Sequence, residues 1–223
     1  MKLNILYLTL KTDKPVLESP SKLRGYIGNT FKNNPILHNH SDYGFIYTYP
    51  KVQYKVINNT PVILGINEGA EALKDIFDKI DQLKLDKEYK IKEIQINQIK
   101  SDFGPKRENY QYNFITPWLA FNQDNYKRFK AIKNWKERKL LLNNILIGNI
   151  LSMCKGLDFV VNKRLYIHSH IALQTINYKN TKFIGFTGEF KVNFKIPDYF
   201  GLGKGVSRGN GVIKHASCEH NLH

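Results

Sequence analysis

The order of strand-like and helix-like patterns constrains this chain more than any other feature. In the first half, alternating and helical periodicities follow one another in the order βαββαβ. The segments are a strand at 3–10, a helix at 20–31, a hairpin of strands 45–57 and 61–66, a helix that begins after Asn67, and a strand at 88–98. This order predicts an α+β domain of the ferredoxin-like type.

The second half repeats a closely related order. Its segments are a strand at 110–120, a mainly helical stretch at 122–156, paired strands at 164–176 and 182–196, and a short last strand at 211–215. Between the halves, Gly104-Pro105 lies in a polar stretch, 100–109, which we interpret as a linker. The sequence therefore predicts two tandem ferredoxin-like (βαββαβ) domains, residues 1–104 and 109–223.

Charge narrows the class of partner. The 223 residues include 34 Lys and Arg against 19 Asp and Glu, a formal net charge of +15. Such an excess favours a polyanionic partner, with nucleic acid as the first candidate.

The sequence shows no membrane-spanning pattern. The most apolar run, 140–151, is interrupted by polar residues and is too short to span a bilayer, and the N-terminus has no signal-peptide pattern. With only two cysteines, a disulfide framework and a four-cysteine zinc site are excluded. We expect a cytoplasmic protein with no membrane partner.

Five glycines occur within residues 201–211, which we call the glycine-rich segment. The spacing does not fit a Walker loop, and too little chain follows for a dinucleotide fingerprint. A backbone that contacts RNA and a loop that packs between domains both remain open. For RNA binding, the candidates in this segment are four of the glycines and three polar residues among them: Gly201, Gly203, Lys204, Ser207, Arg208, Gly209 and Gly211.

Further RNA-binding candidates lie on predicted helices and strands. The helical stretch at 122–156 has a basic first half, which would grip phosphates without reading sequence. Its candidates are Lys127, Arg128, Lys130 and Lys133, followed by Lys136, Arg138 and Lys139. In the first half of the chain they are Lys22, Arg24 and Lys51. Alternation also places one row on a single face of the hairpin strand: Tyr47, Tyr49, Lys51, Gln53 and Lys55. That row fits a single-stranded RNA track or an ordinary solvated face.

Two histidines, His38 and His40, lie in a polar loop after the first helix and are candidates for proton transfer. A second pair, His168 and His170, falls on one face of a strand, where two ligands do not make a metal site. The tail contains His215, Cys218, His220 and His223, which we treat as incidental. We predict no metal site.

Several of these motifs, in this order, resemble the CRISPR repeat-processing endoribonucleases of the repeat-associated RNA-binding superfamily, specifically the type I-B branch. The matching positions span nearly the whole chain. They are Arg24–Ile27, His38–His40, Ile46–Lys55, Gly65–Gly69, Thr116–Ala120, Gly188–Phe190 through Pro197–Asp198, and the glycines Gly201, Gly203, Gly209 and Gly211. Asn210 stands where the family has a bulky residue.

The resemblance implies RNA cleavage without metal or cofactor, in which the ribose 2′-OH attacks its own phosphate. The products would have 2′,3′-cyclic phosphate and 5′-OH ends. By the same resemblance, His38 and His40 are the acid–base pair, in an order left open, and Tyr47 is a hydrogen-bonding or phosphate-orienting group. Weaker candidates for stabilising the charged phosphorane are Lys22, Lys32 and Lys51. The implied partners are CRISPR repeat RNA and type I interference-complex subunits, and a homodimer is compatible. A non-catalytic RNA-binding subunit of the same fold, and a generic basic nucleic-acid-binding protein, are the competing interpretations.

Overall fold

The computed structural model describes residues 1–37, 40–41, 44–45, 48–178 and 181–216. Its contacts divide the chain into two compact units. The first unit comprises Lys2–Ser101 together with Ser207–Gly209, and the second comprises Met1, Asp102–Val206 and the chain from Asn210 onward. None of the described helices is long and apolar enough to cross a membrane.

The first unit contains a five-stranded sheet with two helices. Its elements are β1 (Lys2–Thr12), α1 (Pro20–Thr30), a 3₁₀ turn (Pro35–Leu37), β2 (His40–Ser41), β3 (Gly44–Phe45), β4 (Val52–Ile57), β5 (Thr60–Ile66), α2 (Glu68–Lys74), a 3₁₀ turn (Phe77–Lys79), β6 (Gln82–Lys84) and β7 (Glu88–Asp102). The sheet order is β4-β5-β1-β7-β6, and β2 pairs separately with β3. Strands β4, β5 and β1 are antiparallel neighbours, as the ferredoxin-like order requires.

The core of the first unit forms where α1 and α2 cover one face of this sheet. Leu23 and Ile27, one helical turn apart on α1, are fully buried with the inward residues of β1, such as Leu8. Tyr54 of β4 belongs to the same buried cluster. The helical and alternating periodicities of the sequence thus meet in one core.

The second unit contains a four-stranded antiparallel sheet and two consecutive helices. Its elements are β8 (Gly104–Trp118), α3 (Gln123–Ala131), α4 (Trp135–Gly156), β9 (Ile167–Tyr178), β10 (Thr181–Lys195) and β11 (Ile213–His215). A 3₁₀ turn (Val206–Arg208) lies between β10 and β11, and its last two residues belong to the first unit. The order β11-β8-β10-β9 is again ferredoxin-like. Between β10 and β11, the glycine-rich segment with its single 3₁₀ turn takes the place of a second helix. The α+β, ferredoxin-like fold class is confirmed.

Local side-chain contacts explain where the helices of the second unit begin. The Asn122 side chain accepts a hydrogen bond from the Asn125 amide at 2.7 Å, and Asn134 accepts one from the Lys136 amide at 2.8 Å. These caps satisfy amides that the first turn of each helix leaves without partners. The predicted basic helical stretch is therefore two helices, and residues 132–134 separate them.

The predicted linker at 100–109 is wrong. Strand β7 continues to Asp102 and β8 begins at Gly104, so only Phe103 separates them. Phe103 is buried, and its ring packs edge-on against Phe194 with the ring centroids 5.0 Å apart. Gly104, at a φ of +136°, supplies a conformation that residues with a Cβ rarely adopt. The Gly-Pro signal therefore marks a local irregularity between two long strands.

Candidate nucleic-acid interface and catalytic segment

The predicted catalytic residues fall in residues 38–47, which we call the histidine segment. His38 and Tyr47 lie outside the described residues. For His40 the structure gives the backbone, which belongs to β2 and pairs with Phe45 of β3. Their mutual geometry therefore remains a prediction.

Buried residues hold the chain on both sides of the histidine segment. Leu37, immediately before it, is 1% exposed, and the Tyr54 hydroxyl donates a hydrogen bond to the Leu37 carbonyl at 2.7 Å. On the far side, Tyr49 is also buried. Burial raises the pKa of Tyr54, an effect that the nearby Arg24 charge partly opposes, so the hydroxyl stays protonated and can donate. We call Leu37 and Tyr49 the anchors of the histidine segment.

The sequence interpretation did not assign a role to Tyr54, although a signal was present. Tyr54 lies two residues from Val52 and from Val56, so alternation places it on the same side of β4 as these apolar residues. A tyrosine on the core side needs a partner for its hydroxyl. Only the fold shows that this partner is the carbonyl just before the predicted catalytic histidine.

Two of the predicted RNA-binding lysines of the first unit have carboxylate neighbours. The Lys22 ammonium lies 2.6 Å from Asp86, and the Lys51 ammonium lies 2.9 Å from Glu68. The hydrogen bond from Lys51 lowers the pKa of Glu68. Exposed ion pairs contribute about 0–1 kcal/mol. Both lysines can therefore exchange their carboxylate for a phosphate at small cost.

The proposed RNA track along the hairpin strand is wrong at Tyr49, which is buried, and is contradicted most clearly by Gln53 and Lys55. Both are fully buried, so neither an RNA track nor a solvated face describes them. The Lys55 ammonium donates to the Gln53 side-chain oxygen at 3.0 Å, and burial lowers the pKa of Lys55 well below its usual value. Alternation indicated that these two residues share a face, but not that this face is covered.

The glycine-rich segment makes close contacts within the protein. Gly211 has a φ of +62°, and a Cβ there would overlap the carbonyl oxygen of Leu202. At Gly209, with a φ of +77°, a Cβ would lie 2.7 Å from the Pro20 side chain and 3.1 Å from the Tyr54 carbonyl oxygen. Internal packing thus accounts for both glycines. The RNA contacts predicted for this segment stay predictions, and its exposed cation is Lys204.

The predicted basic residues of this stretch lie on α3 and on the first turns of α4, with Lys133 on the connection between them, and we call residues 123–139 the basic helices. Lys127, Arg128, Lys130 and Lys133 are exposed, as phosphate contact requires. Arg138 instead covers the Phe129 ring at 4.8 Å and donates to the Ile132 carbonyl. This arginine fixes the junction between the two helices, whereas the lysines around it extend from the surface.

The remaining histidines do not form a cluster with other ligand types in the described part of the chain. His168 and His170 are exposed on β9, and His215 packs its ring against Tyr110 and Tyr112. Within residues 1–37, 48–178 and 181–216, no group of three His, Cys, Asp or Glu side chains could hold a metal ion. Cys218, His220 and His223 lie outside the described residues.

Two family models match the chain almost end to end. Residues 1–102 match the Cas6b N-terminal domain, and residues 104–216 match the Cas6b C-terminal domain. An uncharacterised protein of Methanocaldococcus jannaschii is 44% identical over 113 residues, which are 50% of this chain and 76% of that protein.

Solved structures agree with these matches. A crystal structure of Cas6b superimposes with a TM-score of 0.90 at 33% identity, covering 96% of this chain and 100% of that one. The crystal structure of a CRISPR RNA processing endoribonuclease Cas6b gives 0.79 at 30% identity, with the same coverage. A type IV Cas6 crRNA endonuclease gives 0.61 at 12% identity over 96% of this chain and 99% of that one, a likeness of fold alone.

Proposed function

The chain belongs to the Cas6b family, and we propose that it is an endoribonuclease that cuts CRISPR precursor RNA within each repeat. One observation carries the proposal. Both Cas6b domain models match, and a CRISPR RNA processing endoribonuclease of the same family superimposes over 96% of the chain at 30% identity.

The proposed reaction is a transesterification. The ribose 2′-oxygen forms a bond to the adjacent phosphorus, and the bond from phosphorus to the 5′-oxygen of the next nucleotide breaks. A base takes the proton from the 2′-OH, and an acid gives a proton to the departing 5′-oxygen. The products are a 2′,3′-cyclic phosphate and a 5′-OH, and we propose that no metal takes part.

His38 and His40 are the proposed base and acid, in either order. Imidazole suits both tasks because its unperturbed pKa, about 6.5, lies near working pH. Tyr47 would orient the phosphate through a hydrogen bond, and Lys51 would stabilise the negative charge of the phosphorane. The Tyr54–Leu37 hydrogen bond supports this assignment, since it fixes the backbone one residue before His38.

We propose that the protein binds RNA mainly through electrostatic contacts, made by residues of both units. The contributing residues are Lys22, Arg24, Lys51, Lys127, Arg128, Lys130, Lys133, Lys204, Ser207 and Arg208, with the backbone at Gly201, Gly203, Gly209 and Gly211. Contacts of this kind neutralise phosphates and release counterions, so affinity falls steeply with salt. Sequence selection then comes from unpaired bases that reach the protein.

In this proposal the protein works in the cytoplasm on CRISPR repeat RNA. It keeps the cleaved product and delivers it to subunits of a type I interference complex, alone or as a homodimer. Size-exclusion chromatography with light scattering, with and without product RNA, measures whether a dimer forms.

The deciding experiment is incubation of the protein with repeat-containing RNA in excess chelator, followed by analysis of the product ends. We expect one cut per repeat, with 2′,3′-cyclic phosphate and 5′-OH termini, and no cut in an RNA whose repeat is scrambled. Tight binding with no cleavage would instead favour a non-catalytic RNA-binding subunit. Cleavage that requires an added divalent metal would reject the proposed chemistry.

A further inference from the structure

An open cleft lies in the second unit between the start of α4 and the edge of the sheet. It has a volume of about 360 Å³. Trp135, Lys139 and Leu142 line it from the helix, and Ser169, Ile171 and Gly188 line it from β9 and β10. We call it the α4 cleft.

The sequence explains why the helix and the sheet separate here. Trp135, Lys139 and Leu142 recur at helical spacing and therefore share one face of α4. Leu142 is fully buried, whereas Trp135, two turns earlier, is 47% exposed. On the facing strands, Gly188 of β10 is exposed at a φ of +114°, and a Cβ there would overlap the His170 carbonyl oxygen of β9, so the wall of the cleft at this position is bare backbone. The contact between α4 and the sheet thus ends at Leu142, and the Trp135 indole, nearer the start of the helix, lies beside an open space.

A hydrogen bond fixes the floor of the α4 cleft. The Ser169 hydroxyl, which is fully buried, donates to the side-chain oxygen of Asn143 at 2.5 Å. Asn143 lies one turn beyond Lys139 on the same face of α4, so this contact ties the helix to β9 directly below the opening. The cleft is thus pre-formed, as small-ligand sites usually are.

The sequence that leads into the helical wall of the α4 cleft is strongly basic. The stretch from Gln123 to Lys139 has seven cationic side chains and only two acidic ones. The cationic residues are Lys127, Arg128, Lys130, Lys133, Lys136, Arg138 and Lys139; the acidic ones are Asp124 and Glu137. An exposed indole among cations suits a strand that alternates flat rings with phosphates. An apolar peptide would leave these charges without partners.

We propose that the α4 cleft binds one unpaired nucleobase of the RNA strand that the basic helices hold. The base stacks on the Trp135 indole, and Lys139 pairs with the adjoining phosphate. This inference rests on the proposed function, because it takes the bound RNA to be the repeat. It adds a base-binding site far along the sequence from the histidine segment. A paired stem cannot place a base there without opening.

The protein's own tryptophans provide the test. It has two: Trp118 is fully buried and Trp135 is 47% exposed. Titration with single-stranded repeat RNA is expected to quench the fluorescence of Trp135, whereas a fully paired RNA duplex leaves it unchanged. Trp135→Phe removes this quenching while keeping an aromatic ring. Trp135→Ala weakens RNA binding by about tenfold, the size expected for one lost base stack.

Tyr166→Ala is the matched control, because Tyr166 is an exposed aromatic of the same unit outside the cleft. It should leave both quenching and affinity unchanged. No quenching by single-stranded RNA, or equal affinity of Trp135→Ala and the parent, overturns the α4 cleft as a base site. Quenching without cleavage would reject the proposed enzyme and leave the base site standing.

Discussion

The histidine segment of the first unit and the basic helices of the second differ in how the fold holds them. Buried anchors, Leu37 and Tyr49, flank the histidine segment, and a hydrogen bond from Tyr54 fixes one of them. The basic helices instead present long exposed side chains. A proton-transfer group must lie within hydrogen-bond reach of its target, whereas phosphate contacts tolerate flexible side chains. We therefore expect mutations to separate chemistry from binding.

The largest expected effect is on chemistry. The double variant His38→Ala, His40→Ala should lower the single-turnover cleavage rate by about 10²- to 10⁴-fold, because general acid–base assistance is lost. RNA affinity, measured by filter binding, should stay within about twofold of the parent, since neither residue belongs to the proposed electrostatic grip.

The control is His168→Ala, because His168 is an exposed histidine of β9 that does not line the α4 cleft. This variant should cleave normally. A His38/His40 variant that cuts as fast as the parent would remove the catalytic assignment.

The next effect is on binding. Replacing Lys127, Arg128 and Lys130 together by Gln should weaken RNA binding about tenfold or more, and make the slope of log affinity against log salt shallower by about 2. The cleavage rate at saturating protein should not change.

For comparison, Lys84, Lys90 and Lys92 are exposed lysines of the first unit, and their replacement by Gln removes the same net charge. If this control weakens binding as much as the α3 variant, net charge rather than the basic helices determines affinity.

The hydrogen bond at the anchor should link stability to chemistry. Tyr54→Phe removes the donor to the Leu37 carbonyl, so it should cost about 1–2 kcal/mol in the free energy of unfolding. It should also slow cleavage by up to about tenfold, because the backbone before His38 loses its position.

Tyr112→Phe is the matched control for Tyr54→Phe, because it removes a buried tyrosine hydroxyl in the second unit. The Tyr112 hydroxyl is buried and accepts a hydrogen bond from the Ile196 amide at 2.7 Å. This variant should lose similar stability and cleave normally once folded. Equal cleavage rates for the two variants would show that the Tyr54 contact serves stability alone.

The smallest expected effect is on the pH dependence of stability, and it concerns Lys55, whose buried side chain RNA cannot contact. Because burial lowers the pKa of Lys55, the folded protein binds fewer protons than the unfolded chain between that lowered pKa and the ordinary value near 10.4. Stability should therefore rise with pH across that window. Lys55→Met should flatten the rise in chemical denaturation experiments, and exposed Lys92→Met should not. A rise that persists in Lys55→Met would assign it to other groups.

Periodicity predicted the fold because each element has a clear pattern and each pattern meets its partner in a core. Leu23 and Ile27 repeat at helical spacing, and the strands alternate. The paired lysines and arginine of α3 were likewise visible as a one-signed surface, and the structure exposes them.

Periodicity could not predict whether a given face of a strand or helix is buried in the folded protein. Gln53 and Lys55 look like solvent-facing residues in the sequence, yet both are fully buried. The α4 cleft was also hidden, because its lining combines Trp135 of α4 with Gly188 of β10, which are more than fifty residues apart in the sequence. Such features arise from long-range packing, which no local pattern records.

The most direct test of the proposed mechanism replaces one 2′-hydroxyl of the RNA by hydrogen. Once the cut is mapped, a repeat RNA with a single 2′-deoxy sugar on the 5′ side of that phosphate should bind with unchanged affinity and remain uncut, because the nucleophile is missing. Cleavage of this RNA, with 3′-OH and 5′-phosphate or 3′-phosphate and 5′-OH ends, would contradict attack by the 2′-oxygen.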